Sequence, residues 1–309
     1  MAFRPVGLAL AVLLSAFHLA TLAEAAPSEP AKKAGPRQLL CTIGTPFRRK
    51  LYLIRENGTG LRRLTRNPKA DEEGASWSPD GRRIAFGRKL GNGRRHLYVM
   101  NANGGNRQRL TNDPTGDDSI PSWSPDGKKI LFVRAYSDVH ANLFIVEVKT
   151  RKLKRLTEGD NFDADPAWSP DGRTLLFGAK RAGEVHLYVM DANGENERQI
   201  GAKETNFGLV FPAWFPDGSK IAYTEKFDAP LEIFVSGLEG EGKKQITNLG
   251  GYNFLPAWSR NGDTLAFEHY DSRSSRGSLW LVDANGNNQR VLIRDIGGWW
   301  AGRPAWRPR

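Results

Sequence analysis

The apolar residues of this chain fall into short runs of β-branched and aromatic residues that are separated by polar turns. One stretch shows the pattern clearly and predicts four strands, at residues 166–169, 173–177, 187–190 and 197–200. The first two are joined by Pro170-Asp171-Gly172, in which Pro presets φ and Gly supplies a positive φ. The last two are joined by an Asn-Gly turn. No segment has a helical period, so the pattern predicts an all-β protein built from four-stranded units.

The same four segments recur along the chain, and a tryptophan marks the first strand of each copy at intervals of about 45 residues. These tryptophans are Trp77, Trp123, Trp168, Trp214, Trp258 and Trp306. Most of them are followed by a sequence close to Ser-Pro-Asp-Gly, and most copies end in Arg-Leu-Thr or a close variant. Repeats of this length with four strands each are typical of a β-propeller, in which every repeat forms one blade.

The two ends of the chain carry complementary parts of one repeat. Strand-like segments at residues 38–43, 51–54 and 61–64 precede Trp77 without an inner strand, whereas residues 303–307 form an inner strand with nothing after it. We therefore expect a six-bladed β-propeller with five contiguous blades and one blade shared between the N-terminal strands and the C-terminal inner strand. Such closure leaves no exposed sheet edge where the ring meets itself.

The N-terminus predicts a secretory signal peptide. Arg4 precedes an apolar segment, and Ala23 and Ala25 occupy the positions that signal peptidase reads. The apolar segment is shorter than the roughly 20 residues that a membrane span requires. The predicted organisation is a signal peptide at residues 1–25, a disordered lead-in at 26–36 and the propeller at 37–309. We expect a soluble exported protein, either periplasmic or secreted.

The formal net charge is +11, and the chain has one cysteine, Cys41. A single cysteine excludes an internal disulfide. Most lysines and arginines follow the Pro-Asp-Gly turns or lie on outer strands, where such side chains protect sheet edges from pairing with other molecules. They are not interleaved with aromatic residues as in a nucleic-acid groove. We therefore expect a monomer that has no nucleic-acid partner and no transmembrane segment in its mature form.

The loops before the inner strands vary more than the turns, and binding residues concentrate in such loops. They are acidic in the first three repeats and aromatic or amide-containing in the later ones. The candidate binding residues at this channel mouth are Glu72, Asp117, Asp118, Asp163, Asp165, Asn206, Tyr252, Asn253, Trp299 and Trp300. The acids would pair with Lys or Arg of an extended peptide, and the aromatics would add contact area. The alternatives are a Ca²⁺ site, a surface that stacks on sugars, and a purely structural role; no other cofactor is predicted.

The repeat resembles the TolB-type propeller repeat through Trp-Ser-Pro-Asp-Gly, the following apolar strand, the later Asp-Ala-Asn-Gly turn and the Arg-Leu-Thr ending. The first motif is complete at residues 77–81, 123–127 and 168–172, and it departs at Phe215 and at Arg260-Asn261. The resemblance covers Gln38 to the C-terminus. TolB itself carries an N-terminal α/β domain for which this chain has no room. The resemblance implies a protein-binding platform, usually with a central channel, and only occasionally an enzyme.

The histidines support a second hypothesis. His96, His140, His186 and His269 are predicted near the loops between second and third strands, and some lyases with related propellers use histidines and a metal. The chain has no G-x-S-x-G, Walker or H-E-x-x-H motif. We therefore predict a non-catalytic exported propeller that binds a protein or peptide in the cell envelope. The alternative is a metal-assisted polysaccharide lyase or hydrolase that uses the loop histidines and acids.

Overall fold

The computed structural model describes residues 35–45, 48–201, 211–226, 230–271, 276–294 and 300–308. The predicted signal peptide and nearly all of the predicted lead-in lie outside these residues. The chain divides into two units, Met1–Gly35 and Pro36–Arg309, and the second unit carries all of the described strands. Within the described part, no helix is present that has the length and apolar character to cross a membrane.

The described strands group into six sets of four. The chain opens with β1 (Gln38–Gly44), β2 (Lys50–Arg55) and β3 (Arg62–Arg63). Blade 1 contains β4 (Ala70–Trp77), β5 (Arg83–Leu90), β6 (Arg95–Asn101) and β7 (Gln108–Arg109). Blade 2 contains β8 (Asp117–Trp123), β9 (Lys129–Ala135), β10 (Ala141–Glu147) and β11 (Leu153–Arg155). Blade 3 contains β12 (Phe162–Trp168), β13 (Thr174–Arg181), β14 (Glu184–Asp191) and β15 (Arg198–Ile200). Blade 4 contains β16 (Ala213–Trp214), β17 (Ile221–Lys226), β18 (Leu231–Ser236) and β19 (Lys244–Gln245). Blade 5 contains β20 (Tyr252–Trp258), β21 (Thr264–Asp271), β22 (Arg276–Asp283) and β23 (Arg290–Ile293), and β24 (Trp300–Trp306) follows.

The last strand closes the ring against the first. β24 pairs antiparallel with β1, with Leu39 opposite Trp306, so the sheet order of blade 6 is β24-β1-β2-β3. This pairing confirms the shared blade that the two ends of the sequence predict. The other blades pair antiparallel within themselves, and single parallel pairings, Ala141 with Phe162 and Leu231 with Tyr252, join blade 2 to 3 and blade 4 to 5.

Buried apolar clusters fill the space between every two neighbouring blades. Trp168 of blade 3 packs in one cluster with Leu131 of blade 2, and Trp306 packs with Leu281 of blade 5. Trp214 is the exception because it packs against its cluster while remaining partly exposed. A further cluster joins blade 6 to blade 1. The core is therefore a ring of interblade layers, and the recurring tryptophan is the residue that seals each layer against water.

Hydrogen bonds within the Ser-Pro-Asp-Gly turn stabilise it, and the turns of neighbouring blades pack against each other. Ser78 Oγ donates to Asp80 Oδ1 at 2.5 Å, and Arg83 N donates to Ser78 Oγ at 2.9 Å. At the equivalent turn of blade 2, both the backbone conformation and the close approach of a neighbouring turn require glycine. Gly127 has φ +69°, and a Cβ there would lie 3.3 Å from Pro79 Cγ of the preceding turn. The motif thus recurs because successive turns pack on each other around one face of the disc.

The threonine that ends most repeats joins the outer strand to the third strand of its own blade. Thr111 Oγ1 accepts a hydrogen bond from Leu97 N at 2.9 Å. The same bond forms at Thr65, Thr157 and Thr247. Because these threonines are buried, the bond satisfies a backbone N–H that would otherwise be left without a partner.

The inner strands begin earlier than predicted. β12 starts at Phe162, so Asp163 and Asp165 lie within a strand and not in the loop before it. The reason is a β-bulge: the pairing of β12 with β13 shifts register between Ala164 and Ala167. A bulge breaks the alternation of apolar and polar residues, so the sequence pattern marked only the half of the strand that follows it.

Candidate functional site

The residue three positions before each tryptophan occupies the same unusual backbone conformation in all six blades. These residues are Gly74, Ile120, Asp165, Phe211, Leu255 and Arg303, with φ of 59°, 52°, 49°, 35°, 55° and 48°. Left-handed backbone costs about 1–2 kcal/mol for residues other than glycine. A branched or bulky residue in this region is exceptional. Five of the six residues are not glycine, and contacts between blades maintain their left-handed backbone.

This bulge ring surrounds the central channel. The six residues line one cavity of about 240 Å³ together with the residues that follow them, which are Ala75, Pro121, Pro166, Pro212, Pro256 and Pro304. Five blades contribute a side chain at this level, and blade 1 contributes the backbone of Gly74. The residues at that level are chemically unlike each other, in contrast to the repeated motifs around them.

An ion pair crosses the channel at this level. Arg303 Nη1 lies 3.5 Å from Asp165 Oδ1, and the two residues come from blades 6 and 3, which face each other in a ring of six. Burial raises the pKa of Asp165 above its usual value, and the Arg303 guanidinium opposes that rise. The ion pair obstructs the channel at the level of the bulge ring.

A second cavity of about 350 Å³ opens above the bulge ring, on the face opposite the Pro-Asp-Gly turns. We call it the mouth cavity; it is lined by Thr42, Gly44, Arg49, Glu73, Phe211, Phe254, Leu255, Glu268, Gly302 and Arg303. One wall is apolar, with the rings of Phe211 and Phe254 5.7 Å apart between centroids. Arg303 contributes to both the floor of this cavity and the cross-channel ion pair.

The remaining lining of the mouth cavity is charged. Glu73 forms ion pairs with Arg49 and with Arg95, whose Nη1 lies 2.9 Å from the Glu73 carboxylate. Glu268 is buried, and its Oε2 accepts a hydrogen bond from Arg303 N at 3.1 Å. A Cβ on Gly302 would collide with the Glu268 carboxylate. The cavity therefore presents an apolar wall facing fixed charges, which is the usual composition of a selective binding pocket.

Most of the predicted acidic residues are buried and paired with arginines of their own blades. Asp118 pairs with Arg134 at 2.6 Å, Asp163 pairs with Arg181 at 2.7 Å, and Glu72 lies 3.2 Å from Arg88 Nε. The Glu72, Asp118 and Asp163 side chains have 0% exposure. These carboxylates already have arginine partners in their own blades.

Asn253 occupies the equivalent position in blade 5. There the inner strand has an amide, and the neighbouring blade supplies the carboxylate. Its Nδ2 donates to Glu232 Oε2 of blade 4 at 2.9 Å, and its Oδ1 lies 2.8 Å from His269 Nδ1. The corresponding third-strand position holds Lys50 in blade 6, His96 in blade 1 and Asn142 in blade 2, none of which is acidic. In this blade pair the carboxylate belongs to the third strand of blade 4, and an amide occupies the inner-strand position that is acidic in blades 1 to 3.

The other candidate residues are distributed differently. Asp117 is partly exposed, and its Oδ1 accepts a hydrogen bond from Arg95 N at 2.6 Å. Tyr252 packs against Tyr270 with ring centroids 6.1 Å apart. Trp300 begins β24. Asn206 and Trp299 lie outside the described residues. Among the candidates whose side chains the structure describes, only Asp165 lines either of the two cavities at the centre of the ring.

The sequence analysis did not select Arg49, Glu73, Phe211, Phe254, Leu255, Glu268 or Arg303 as site residues. A signal for three of them was present: the position three before the tryptophan holds a different residue in every repeat. Glu73 and Phe254 stand next to selected residues. Nothing in the sequence indicates Arg49 or Glu268, because they reach the cavity from other strands.

The four histidines do not converge. His96 lies in blade 1, His140 in blade 2, His186 in blade 3 and His269 in blade 5. Three of them lie in strands, near the ends that adjoin the loops between second and third strands, and His140 lies in such a loop. His140 Nε2 lies 3.1 Å from Asn142 Oδ1 of the same blade. Among the described residues, no group of three His, Cys, Asp or Glu side chains is placed to hold a metal ion.

The fold is similar to solved propeller structures. TolB from Acinetobacter baumannii has a TM-score of 0.76 at 21% identity, over 88% of this chain and 67% of that one. A putative TolB from Agrobacterium tumefaciens has a TM-score of 0.67 at 18% identity, over 89% of this chain and 100% of that one. An oligogalacturonate lyase from Vibrio parahaemolyticus has a TM-score of 0.58 at 16% identity, over 83% of this chain and 79% of that one.

These identities establish a shared fold and leave the activity open, since the same propeller serves both TolB and a lyase. No curated protein matches the chain. A family model described as the TolB beta propeller domain matches residues 114–309, which is more than half of the sequence. The chain therefore belongs to the TolB beta-propeller domain family.

Proposed function

We propose that this protein is a non-catalytic binding platform that holds a segment of another protein at the channel mouth. The observation that carries the proposal is the mouth cavity, which joins the Phe211 and Phe254 wall to fixed charges above an obstructed channel. A cavity of about 350 Å³ accommodates one or two side chains of a peptide. Aromatic residues in such a pocket supply contact area at low entropic cost.

The bulge ring sets how a partner would bind. Since Arg303 and Asp165 meet across the channel, a peptide would end or turn at the ion pair and not thread through. Its apolar side chain would pack on the aromatic wall. Its polar groups would meet Arg49 and Glu73, which are already fixed by their own pairing and so lose little freedom on binding.

Site-specific crosslinking tests this proposal. A photoreactive phenylalanine derivative in place of Phe254 is expected to give a discrete adduct with a partner in producing cells. The matched control carries the same derivative at Val139, a 72% exposed apolar residue in a loop of the same face. Phe211→Ser should weaken the adduct at position 254. Adducts of equal yield at both positions, or none at position 254, would contradict the proposal.

We further propose that the protein is exported, on the strength of the predicted signal peptide. Sequencing the N-terminus of the protein from the exported fraction should find it starting at Ala26. The lyase alternative has no supporting arrangement among the described histidines. Turnover of an acidic polysaccharide that stops on chelation would nevertheless overturn the non-catalytic assignment, so polygalacturonate is the substrate to assay.

A further inference from the structure

Blade 2 carries a cluster of basic side chains on the face opposite the mouth cavity. The cluster, here called the basic tip, comprises Lys128, Lys129, Lys149, Arg151 and Lys152. Of these, Lys128 and Lys129 follow the Pro-Asp-Gly turn, and the other three lie in the turn after β10. The two turns are adjacent, because Val148 N donates to Lys128 O at 2.9 Å. All five residues are exposed.

The charge of the basic tip is not neutralised within the blade. Lys128 Nζ is 3.9 Å from Asp126, and that carboxylate also accepts hydrogen bonds within its own turn. Glu147 accepts a hydrogen bond from Thr150 Oγ1 at 2.7 Å. Over the part of the chain that the structure describes, no acidic side chain forms an ion pair with the other four cations of the basic tip.

The turn between the third and outer strands is basic in blade 2 and not in the other blades. In blade 2 the turn residues 148–152 include three cations, whereas the equivalent residues 57–61, 102–106, 192–196, 238–242 and 284–288 include no lysine or arginine. Pro-Asp-Gly turns are followed by cations in other blades too, and protection of sheet edges accounts for those. The three cations after β10 therefore need another explanation.

The shape of the basic tip indicates the kind of partner. Its side chains project from two hairpin ends and do not converge on a shared pocket, so they suit a continuous anionic surface and not a single phosphate. Leu153 adjoins Lys152 and is 42% exposed. We propose that the basic tip binds the anionic headgroups of a phospholipid membrane. Because the tip and the mouth lie on opposite faces, the protein would rest on the membrane with its mouth cavity directed away from it, whether or not the mouth binds a peptide.

Vesicle sedimentation with the purified protein tests the inference. Vesicles of phosphatidylcholine with a quarter phosphatidylglycerol should bind the protein at low salt, and vesicles of pure phosphatidylcholine should not. Each basic residue near such a surface contributes comparably, so Lys149→Gln, Arg151→Gln and Lys152→Gln together should weaken binding about a hundredfold. Binding of the parent should also fall steeply as salt is raised.

The matched control removes three exposed cations elsewhere, by Arg62→Gln, Arg66→Gln and Lys69→Gln. It has the same net charge as the basic-tip variant, and it should bind within about twofold of the parent. Both variants should unfold at the parental temperature, since all six side chains are mainly solvated. Equal loss in the two variants would overturn the inference, as would absence of parental binding to the anionic vesicles. Binding to soluble dextran sulfate without binding to vesicles would overturn it as well.

Discussion

Arg303 and Asp165 form an ion pair across the channel, 3.5 Å between Nη1 and Oδ1, although their blades lie on opposite sides of the ring. Both residues have left-handed backbone, with φ of 48° and 49°. Each occupies the same bulge position in its own repeat. The strain at these positions directs the two side chains to the centre, where one contact connects the two halves of the disc.

We expect Arg303→Ala to lower the free energy of unfolding by about 1–3 kcal/mol, because it leaves a buried carboxylate without its cation. The side chains retain 28% and 14% exposure, which keeps the cost below that of a fully buried pair. Adding Asp165→Asn should restore part of the loss, since asparagine tolerates this backbone conformation. Equilibrium denaturation of the four proteins in a double-mutant cycle measures the coupling.

The pH dependence of Arg303→Ala provides a second measurement. Burial already raises the pKa of Asp165, and Arg303 limits that rise. Without Arg303 the pKa should rise further, so the folded state binds a proton at a pH where the unfolded state has released it. The variant should therefore gain stability relative to the parent as the pH falls from about 7 to about 4. A stability difference that does not change with pH would contradict this account.

Removing the residues after Gly302 should open the ring. The shortened chain loses the Trp306 Nε1 bond to Ala257 O at 3.0 Å, and it loses the Arg307 N bond to Gln38 O at 2.9 Å. It also loses Trp306 from its cluster, and loss of a buried tryptophan typically costs about 3–5 kcal/mol. We expect the melting temperature to fall by about 10 °C or more. A melting curve equal to that of the parent would count against the shared blade.

Gly74→Ala should destabilise the protein more than Gly91→Ala. Both glycines have similar φ, 59° and 54°, so both substitutions carry the cost of left-handed backbone, about 1 kcal/mol. A Cβ on Gly74 would also lie 3.1 Å from Ile120 N, whereas nothing lies within 4 Å at Gly91. Chemical denaturation should show an extra loss of about 1–2 kcal/mol at Gly74. Equal losses would mean that the bulges of blades 1 and 2 are not in close contact.

Asp118→Ala should reduce stability by about 2–4 kcal/mol, because the Arg134 side chain is 5% exposed and would lose one of its two carboxylate partners. Asp160→Ala is the control, since the Asp160 side chain is 99% exposed. An Asp118→Ala protein as stable as the parent would show that the joint between blades 1 and 2 does not depend on the pair.

The repeat and the fold could be read from the sequence because their signals are local. One turn is made by three consecutive residues, Pro170, Asp171 and Gly172. Trp168, two residues before them, marks the inner strand of the same blade. The pairing of β24 with β1 was also predictable, since two incomplete repeats at the ends of a chain complete each other. In both cases the residues that allow the prediction are the residues that form the predicted turn or strand.

The site depended on contacts between distant residues. Asp118 and Asp163 have the sequence of exposed loop acids, yet the structure places them within strands beside Arg134 and Arg181. A register shift at the bulge decides which side chains face the channel, and no single repeat reveals that shift. The residues of the mouth cavity come from five strands and two adjoining segments, so their proximity has no counterpart along the chain.

The sequence by itself determined the repeating blade, its turns and the closure of the ring, because each rests on residues a few positions apart or on the periodicity of the whole chain. Only the tertiary structure decided that Asp165 meets Arg303 across an obstructed channel and that Glu72, Asp118 and Asp163 are buried beside arginines. The physical reason is that charge and burial depend on which blades face or adjoin each other, and that neighbourhood arises only when the ring is complete.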